Sequence, residues 1–157
     1  MFKFLLSCFL FLALLGVFPH EVSAREVGVP TRPVYFSFTD GKSTKRADQL
    51  DAFIIKLDDP DKIRTARAIL AGKEQATVHI MGKIISKKVS YNQDWSFYLA
   101  PHSISFFEYA MEVCDASISY TEEHLDEVGG SFLPNNIWCP WSSRVMKELR
   151  TVANPNK

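Results

Sequence analysis

The chain has 157 residues, carries 18 basic and 18 acidic side chains, and is 46% apolar. That length suits one domain with a sizeable core, and 23% charged residues with a full apolar complement exclude a disordered tail. A formal net charge of zero argues against a nucleic-acid partner, because phosphate binding draws on a clustered excess of Lys and Arg.

Residues 1–24 read as a secretory signal peptide. Lys3 supplies a positive start, and the 15 residues from Phe4 to Phe18 are interrupted only by Ser7 and Gly16. Pro19 ends any helix there. Val22-Ser-Ala24 then places small residues at the peptidase positions, so the expected cut lies between Ala24 and Arg25. A spanning helix needs about 20 apolar residues, so no retained membrane anchor is expected and the address is secreted or periplasmic. Removing 24 of the 157 residues leaves 133 and takes Cys8 away, so that Cys114 and Cys139 remain. In an oxidising compartment that pair is expected to form one disulfide. Two reduced structural thiols, or a reactive cysteine, are the alternatives.

Residues 25–33 contain two prolines and no period, and read as an extended lead-in to a compact domain over 34–152, with a frayed tail at 153–157. Val34–Thr39 is β-branched and aromatic and predicts a strand; Asp40–Lys45 is a polar turn; Ala52–Leu57 is an apolar run of strand length. Asp59 is an N-cap, Pro60 suits the first helical position, and Ile63, Ala66, Ile69 and Leu70 recur at helical spacing before Gly72 stops the helix. Thr77–Lys87 alternates as a strand, with Gly82 marking a bulge or a close backbone approach. Trp95–Leu99 and Ser103–Val113 predict two more strands, separated by Pro101-His102. Asp115 reads as the cap of a second main helix, with Cys114, Ile118, Thr121, Leu125 and Val128 on one face and Gly129-Gly130 at its end. Ser142 or Ser143 caps a short last helix running to Val152. The expected fold class is therefore α+β: a mostly antiparallel sheet of about five strands, two main helices packed on one face, and a short C-terminal helix.

No catalytic constellation emerges. His79, His102 and His124 lack the close pairing of a zinc site, and Asp58-Asp-Pro-Asp61 lacks the glycine and distal glutamate of a calcium loop. Cys114 and His124 would stand about 15 Å apart on a straight helix, too far to act together. No cofactor or metal is expected. Trp95, Trp138 and Trp141, with Tyr91 and Tyr98, fill a core or form a stacking platform for a glycan or protein ligand. Trp141–Val152 has an aromatic anchor, a methionine and three cations, Arg144, Lys147 and Arg150, a pattern like a calmodulin-binding helix.

Several segments together carry a resemblance: Tyr35-Phe-Ser-Phe-Thr-Asp40, Ala66-Arg-Ala-Ile-Leu-Ala-Gly72, Tyr91-Asn-Gln-Asp-Trp-Ser-Phe-Tyr-Leu99, Phe107-Glu-Tyr-Ala-Met-Glu-Val-Cys-Asp115 and Trp138-Cys-Pro-Trp-Ser-Ser143. Over roughly 34–150 the chain resembles the N-terminal domain of the cAMP-inducible, calmodulin-binding proteins of social amoebae, which also occurs as a single secreted bacterial domain. The resemblance implies calmodulin as a partner and no catalytic residues. The expectation is a secreted, disulfide-stabilised binding domain without enzymatic activity, engaging an unknown protein or a glycan. A candidate surface comprises Trp95, Trp138, Trp141, Arg144, Lys147 and Arg150. The alternatives are a small secreted hydrolase and a carbohydrate-binding domain using exposed tryptophans.

Overall fold

The computed structural model describes residues 32–41, 52–110 and 112–149. The expected signal peptide, its cut at Ala24 and Arg25, Arg150 and the tail lie outside them. Two hydrophobic strands open the fold: β1 (Val34–Thr39) and β2 (Phe53–Leu57) pair antiparallel, with Phe36 opposite Ile55 and Phe38 opposite Phe53. Alternation puts Phe36, Phe38, Phe53, Ile55 and Leu57 on the face that is buried.

Helix α1 (Pro60–Leu70) begins and ends where its sequence dictates. The Asp59 carboxylate accepts from the backbone N–H of Asp61 at 2.8 Å and of Lys62 at 3.3 Å, satisfying donors that have no partner inside the helix. At the other end Gly72 takes a φ of +68°, which suits a residue without Cβ. The Gly72 and Lys73 amides then return to the carbonyls of Ile69 and Ala68 at 3.0 and 2.9 Å. Ile63, Ala66 and Ile69 face the core.

The long strand β3 (His79–Ile85) organises a second sheet. It pairs antiparallel with β4 (Tyr98–Leu99), with β5 (Ser105–Phe107) and, over Gly82–Lys83, with β8 (Ile137–Trp138). Gly82 marks a close approach: a Cβ there would stand 3.2 Å from Leu99 and 3.4 Å from Ile104. Helix α2 (Ile118–Glu123) leads into a small parallel pair, β6 (Val128–Gly129) and β7 (Phe132–Pro134). The last strand, β9 (Arg144–Leu149), returns to β1 and completes the sheet order β2-β1-β9.

The architecture is thus mostly β, with nine strands in three sheets among the described residues, and the expected α+β arrangement of two main helices on one sheet is incorrect. Two segments account for the difference. The expected helix from Asp115 begins only at Ile118, capped by Ser117, because residues 114–116 are committed elsewhere: the Cys114 and Ala116 carbonyls and the Asp115 carboxylate all accept bonds from 138–141. The expected C-terminal helix is strand β9. Ser143 does not cap it; its hydroxyl instead accepts from Ile80 N–H at 2.8 Å. The two expected strands at 95–99 and 103–113 shorten to β4 and β5, and Pro101–Ser103 forms a 3₁₀ turn between them.

The main core lies between the two larger sheets and α1, with Trp138 completely buried. Its indole ring lies 5.4–5.9 Å from the rings of Phe38, Phe53 and Phe97, and its N–H donates to the Ala116 carbonyl at 2.9 Å. Trp138→Ala is expected to destabilise the domain by about 3–5 kcal/mol in urea unfolding. Trp138→Phe, which keeps an aromatic ring but leaves the Ala116 carbonyl without its donor, is expected to cost about 1–3 kcal/mol.

Candidate functional site

Residues 114–118 and 138–143 are joined edge to edge. Cys114 and Cys139 form a disulfide, as the residue types and expected compartment suggested. Around it, the Cys139 amide donates to the Cys114 carbonyl at 2.8 Å and the Trp141 amide to the Asp115 carboxylate at 2.9 Å. The Ile118 amide donates to the buried carboxylate of Asp40, at the end of β1, at 2.7 Å. A second apolar cluster grows over the disulfide from Phe107, Met81, Ile137, Ala110 and Trp141.

This arrangement decides where the three tryptophans go. Trp138 is fully buried and Trp95 is 8% exposed, both packed on Phe53. Trp141 is half-buried in the disulfide cluster. The three therefore form no common exposed platform, and the expectation of a surface built on Trp95 and Trp138 is corrected. Arg144 and Lys147 do lie on the surface, both exposed on β9. Because β9 is hydrogen-bonded to β1, a calmodulin-type helix over 144–149 would require the sheet to come apart.

The histidines occupy three separate places. Nδ1 of His79 lies 3.0 Å from the Ser143 carbonyl, which fixes the proton on that nitrogen. His102 sits in the 3₁₀ turn, and His124 stacks on Tyr120 with its Nδ1 2.8 Å from the Tyr120 carbonyl. Among the described residues no group of three or more His, Cys, Asp or Glu could hold a metal ion. Cys114, held in the disulfide, has no thiol to offer as a nucleophile.

Tyr35, Tyr91 and Tyr98 gather beside β2, with ring separations of 5.1 Å for Tyr35–Tyr91 and 6.4 Å for Tyr91–Tyr98. Burial pushes the Tyr91 phenol well above its ordinary range, and Tyr98 and Tyr35 add to the effect. A raised acid in the folded state stabilises below the unfolded value of 10.0 and loses that stability as pH climbs past it. Tyr91→Phe is expected to flatten the alkaline decline in unfolding free energy measured from pH 10 upward.

The most site-like feature is a groove of about 520 Å³ between the end of α1, the connection that follows it and the start of β9. Ile69, Leu70, Val78, Val145 and Met146 give it an apolar lining, while Glu74, Gln75 and Arg144 supply polar groups. Leu70 is 37% exposed and Met146 47%, so two of the larger exposed apolar side chains open into the same place. Backbone amides of Ala76 and Thr77 hold the Glu74 carboxylate below its ordinary range, at 2.8 and 3.0 Å. The Gln75 amide donates to the Gly72 carbonyl at 3.1 Å. The Arg144 guanidinium meets no carboxylate among the described residues. Sequence reading singled out Arg144 but missed Leu70 and Met146 as partners to it. Nothing in the local pattern announces that a helix end and an edge strand will face one another.

The fold and this clasp define the chain as a disulfide-linked, mostly β domain. A family model described as the BP-74 N-terminal domain matches residues 32–152, covering nearly all the described structure. The chain belongs to that N-terminal domain family. No curated protein and no solved structure matches it.

The disulfide closes a segment with a sequence separation of 25, for which loop-closure entropy corresponds to about 3.5 kcal/mol. Reduction is expected to lower the unfolding free energy by about that amount. Thiol titration of the unreduced, denatured mature chain is expected to find no free sulfhydryl.

Proposed function

We propose that the chain is an exported, disulfide-stabilised binding domain that works without a catalytic centre, and that the groove between α1 and β9 is its binding surface. The observation that carries this reading is the combination found there: an apolar trough with exposed Leu70 and Met146, beside a cation with no carboxylate partner among the described residues. Ligand sites are concave, mostly apolar and equipped with a few oriented polar groups, and volumes of about 300–1,000 Å³ are typical. Export is supported by the leader pattern of residues 1–24 and by a disulfide, which persists in oxidising compartments. Among the described residues no helix is long and apolar enough to cross a membrane.

Two measurements test the reading. Expressed with its leader in a secreting host, the protein is expected outside the cytoplasm with Arg25 as its first residue by mass spectrometry. The mature domain is expected to enhance the fluorescence of anilinonaphthalene sulfonate, an apolar anion, in its native state. Leu70→Asp and Met146→Asp should abolish that enhancement while leaving the thermal transition in place, since both side chains are already exposed. Unchanged fluorescence in these variants would remove the groove as the binding surface.

A further inference from the structure

Arg144, Val145 and Met146 are consecutive residues of β9, yet all three line the groove. Successive strand residues point to opposite faces, so a cavity that touches three in a row runs along the edge of the strand. That edge is open: β9 ends the sheet order β2-β1-β9, and no other described strand pairs with its outer side. The opposite edge of the sheet is treated differently. There the Asn92 amide receives the Ile54 N–H at 2.9 Å and donates to the Phe97 carbonyl at 3.1 Å, closing the gap to the next segment. An open edge presents backbone N–H and C=O groups to which an extended chain can add, while the groove beside it receives side chains.

Three further observations narrow the occupant. An aliphatic ligand laid along this edge would take its backbone groups out of water without replacing their hydrogen bonds, whereas a polypeptide replaces them. The ladder is interrupted at Met146, which stands as an extra residue between the Val145–Phe38 and Lys147–Ser37 pairs. A regular edge therefore extends over only a few residues, enough for the end of a chain and too short for a strand that passes through. Finally, Arg144 is the cation at the groove without a carboxylate among the described residues, while Arg64 and Arg67 on α1 are engaged by Asp61 and Glu148. A guanidinium fork matches the two oxygens of a carboxylate. Glu74 does not compete for it, being bonded into its own loop.

We propose that this groove captures the C-terminal end of an extended polypeptide, its last apolar side chain lodged between α1 and β9 and its terminal carboxylate on Arg144. This rests on the reading of the groove as the binding surface and adds the chemical class of its ligand.

The test uses the mature, oxidised domain and fluorescence anisotropy with a fluorescein-labelled hexapeptide, Ser-Ala-Thr-Ala-Val-Leu. The probe is prepared as the free acid, as the C-terminal amide, and with Asp replacing its last residue. The free acid is expected to bind, the amide at least about tenfold more weakly, as the loss of a charge-assisted contact implies, and the Asp-ended peptide not measurably. Arg144→Gln should erase the preference for acid over amide, Leu70→Asp should abolish binding of both, and Lys147→Gln, outside the groove, should change neither. Equal binding of acid and amide, or a preference that survives Arg144→Gln, overturns carboxylate capture and leaves the groove reading standing. A free acid that fails to bind protein still taking up the naphthalene probe overturns the capture alone. Binding unchanged by Leu70→Asp overturns both.

Discussion

Trp138 and its neighbour Cys139 hold this domain together from two sides of one strand. On the inner side the Trp138 ring fills the space between Phe38, Phe53 and Phe97, joining the first sheet to the segment before β4. On the outer side Cys139 is bonded to Cys114, and Met81, Phe107, Ile137 and Trp141 collect over the bridge. Alternation along a short β-strand makes this possible, because adjacent residues must face opposite ways. The indole N–H would be costly to bury alone, and the Ala116 carbonyl accepts it. The same short run 114–116 thus receives the tryptophan, the disulfide and the Trp141 amide. Because those residues are held in place by partners far along the chain, helix α2 cannot start before Ser117.

The clasp also places the start of β9. Beyond Trp141 the chain turns, with the Ser143 amide returning to the Pro140 carbonyl at 2.9 Å. Ser143 then meets β3 twice, its hydroxyl at Ile80 and its carbonyl at His79. From that fixed point β9 enters beside β1, and its Glu148 reaches α1 through two bonds to Arg67, at 2.7 and 2.8 Å. The helix and the edge strand are therefore tied at one end of β9 and diverge at the other, around Arg144–Met146, where the groove lies. Exposed Arg144 and Lys147 and the extra residue at Met146 also make β9 a poor template for unrestricted sheet addition. An edge guarded in this way resists open-ended pairing while keeping a short stretch accessible.

How much of this could be read from the chain differs by element. Helix α1 was fully legible, since Asp59, Pro60 and Gly72 act locally and each does in the structure what its chemistry implies. The same holds for β1 and β2, whose aromatic and β-branched residues suit a half-buried strand, and for the cysteine pair once Cys8 is assigned to the leader. The second helix was overestimated because Cys114, Ile118, Thr121 and Leu125 do share a helical spacing, while the bonds that hold 114–116 in place come from residues more than twenty positions away. The candidate site was legible in only one residue, Arg144. The groove depends on the approach of α1 to β9, a contact between the middle and the end of the chain that no local pattern encodes.

Strand β9 shows most clearly why a pattern can mislead. Arg144 pairs with Thr39 and Lys147 with Ser37, so these two cations lie on one face although they are three residues apart. Val145 pairs with Phe38 and Glu148 with Phe36, which puts those two on the other face with the same separation. A regular strand repeats every second residue, and the extra residue at Met146 stretches that interval to three. Spacing of three, with cations gathered on one side, is also the signature of an amphipathic helix. The irregularity that disguised the strand as a calmodulin-type helix is the one that turns Met146 outward beside Arg144. The misreading and the groove thus have a single physical origin in the ladder between β1 and β9.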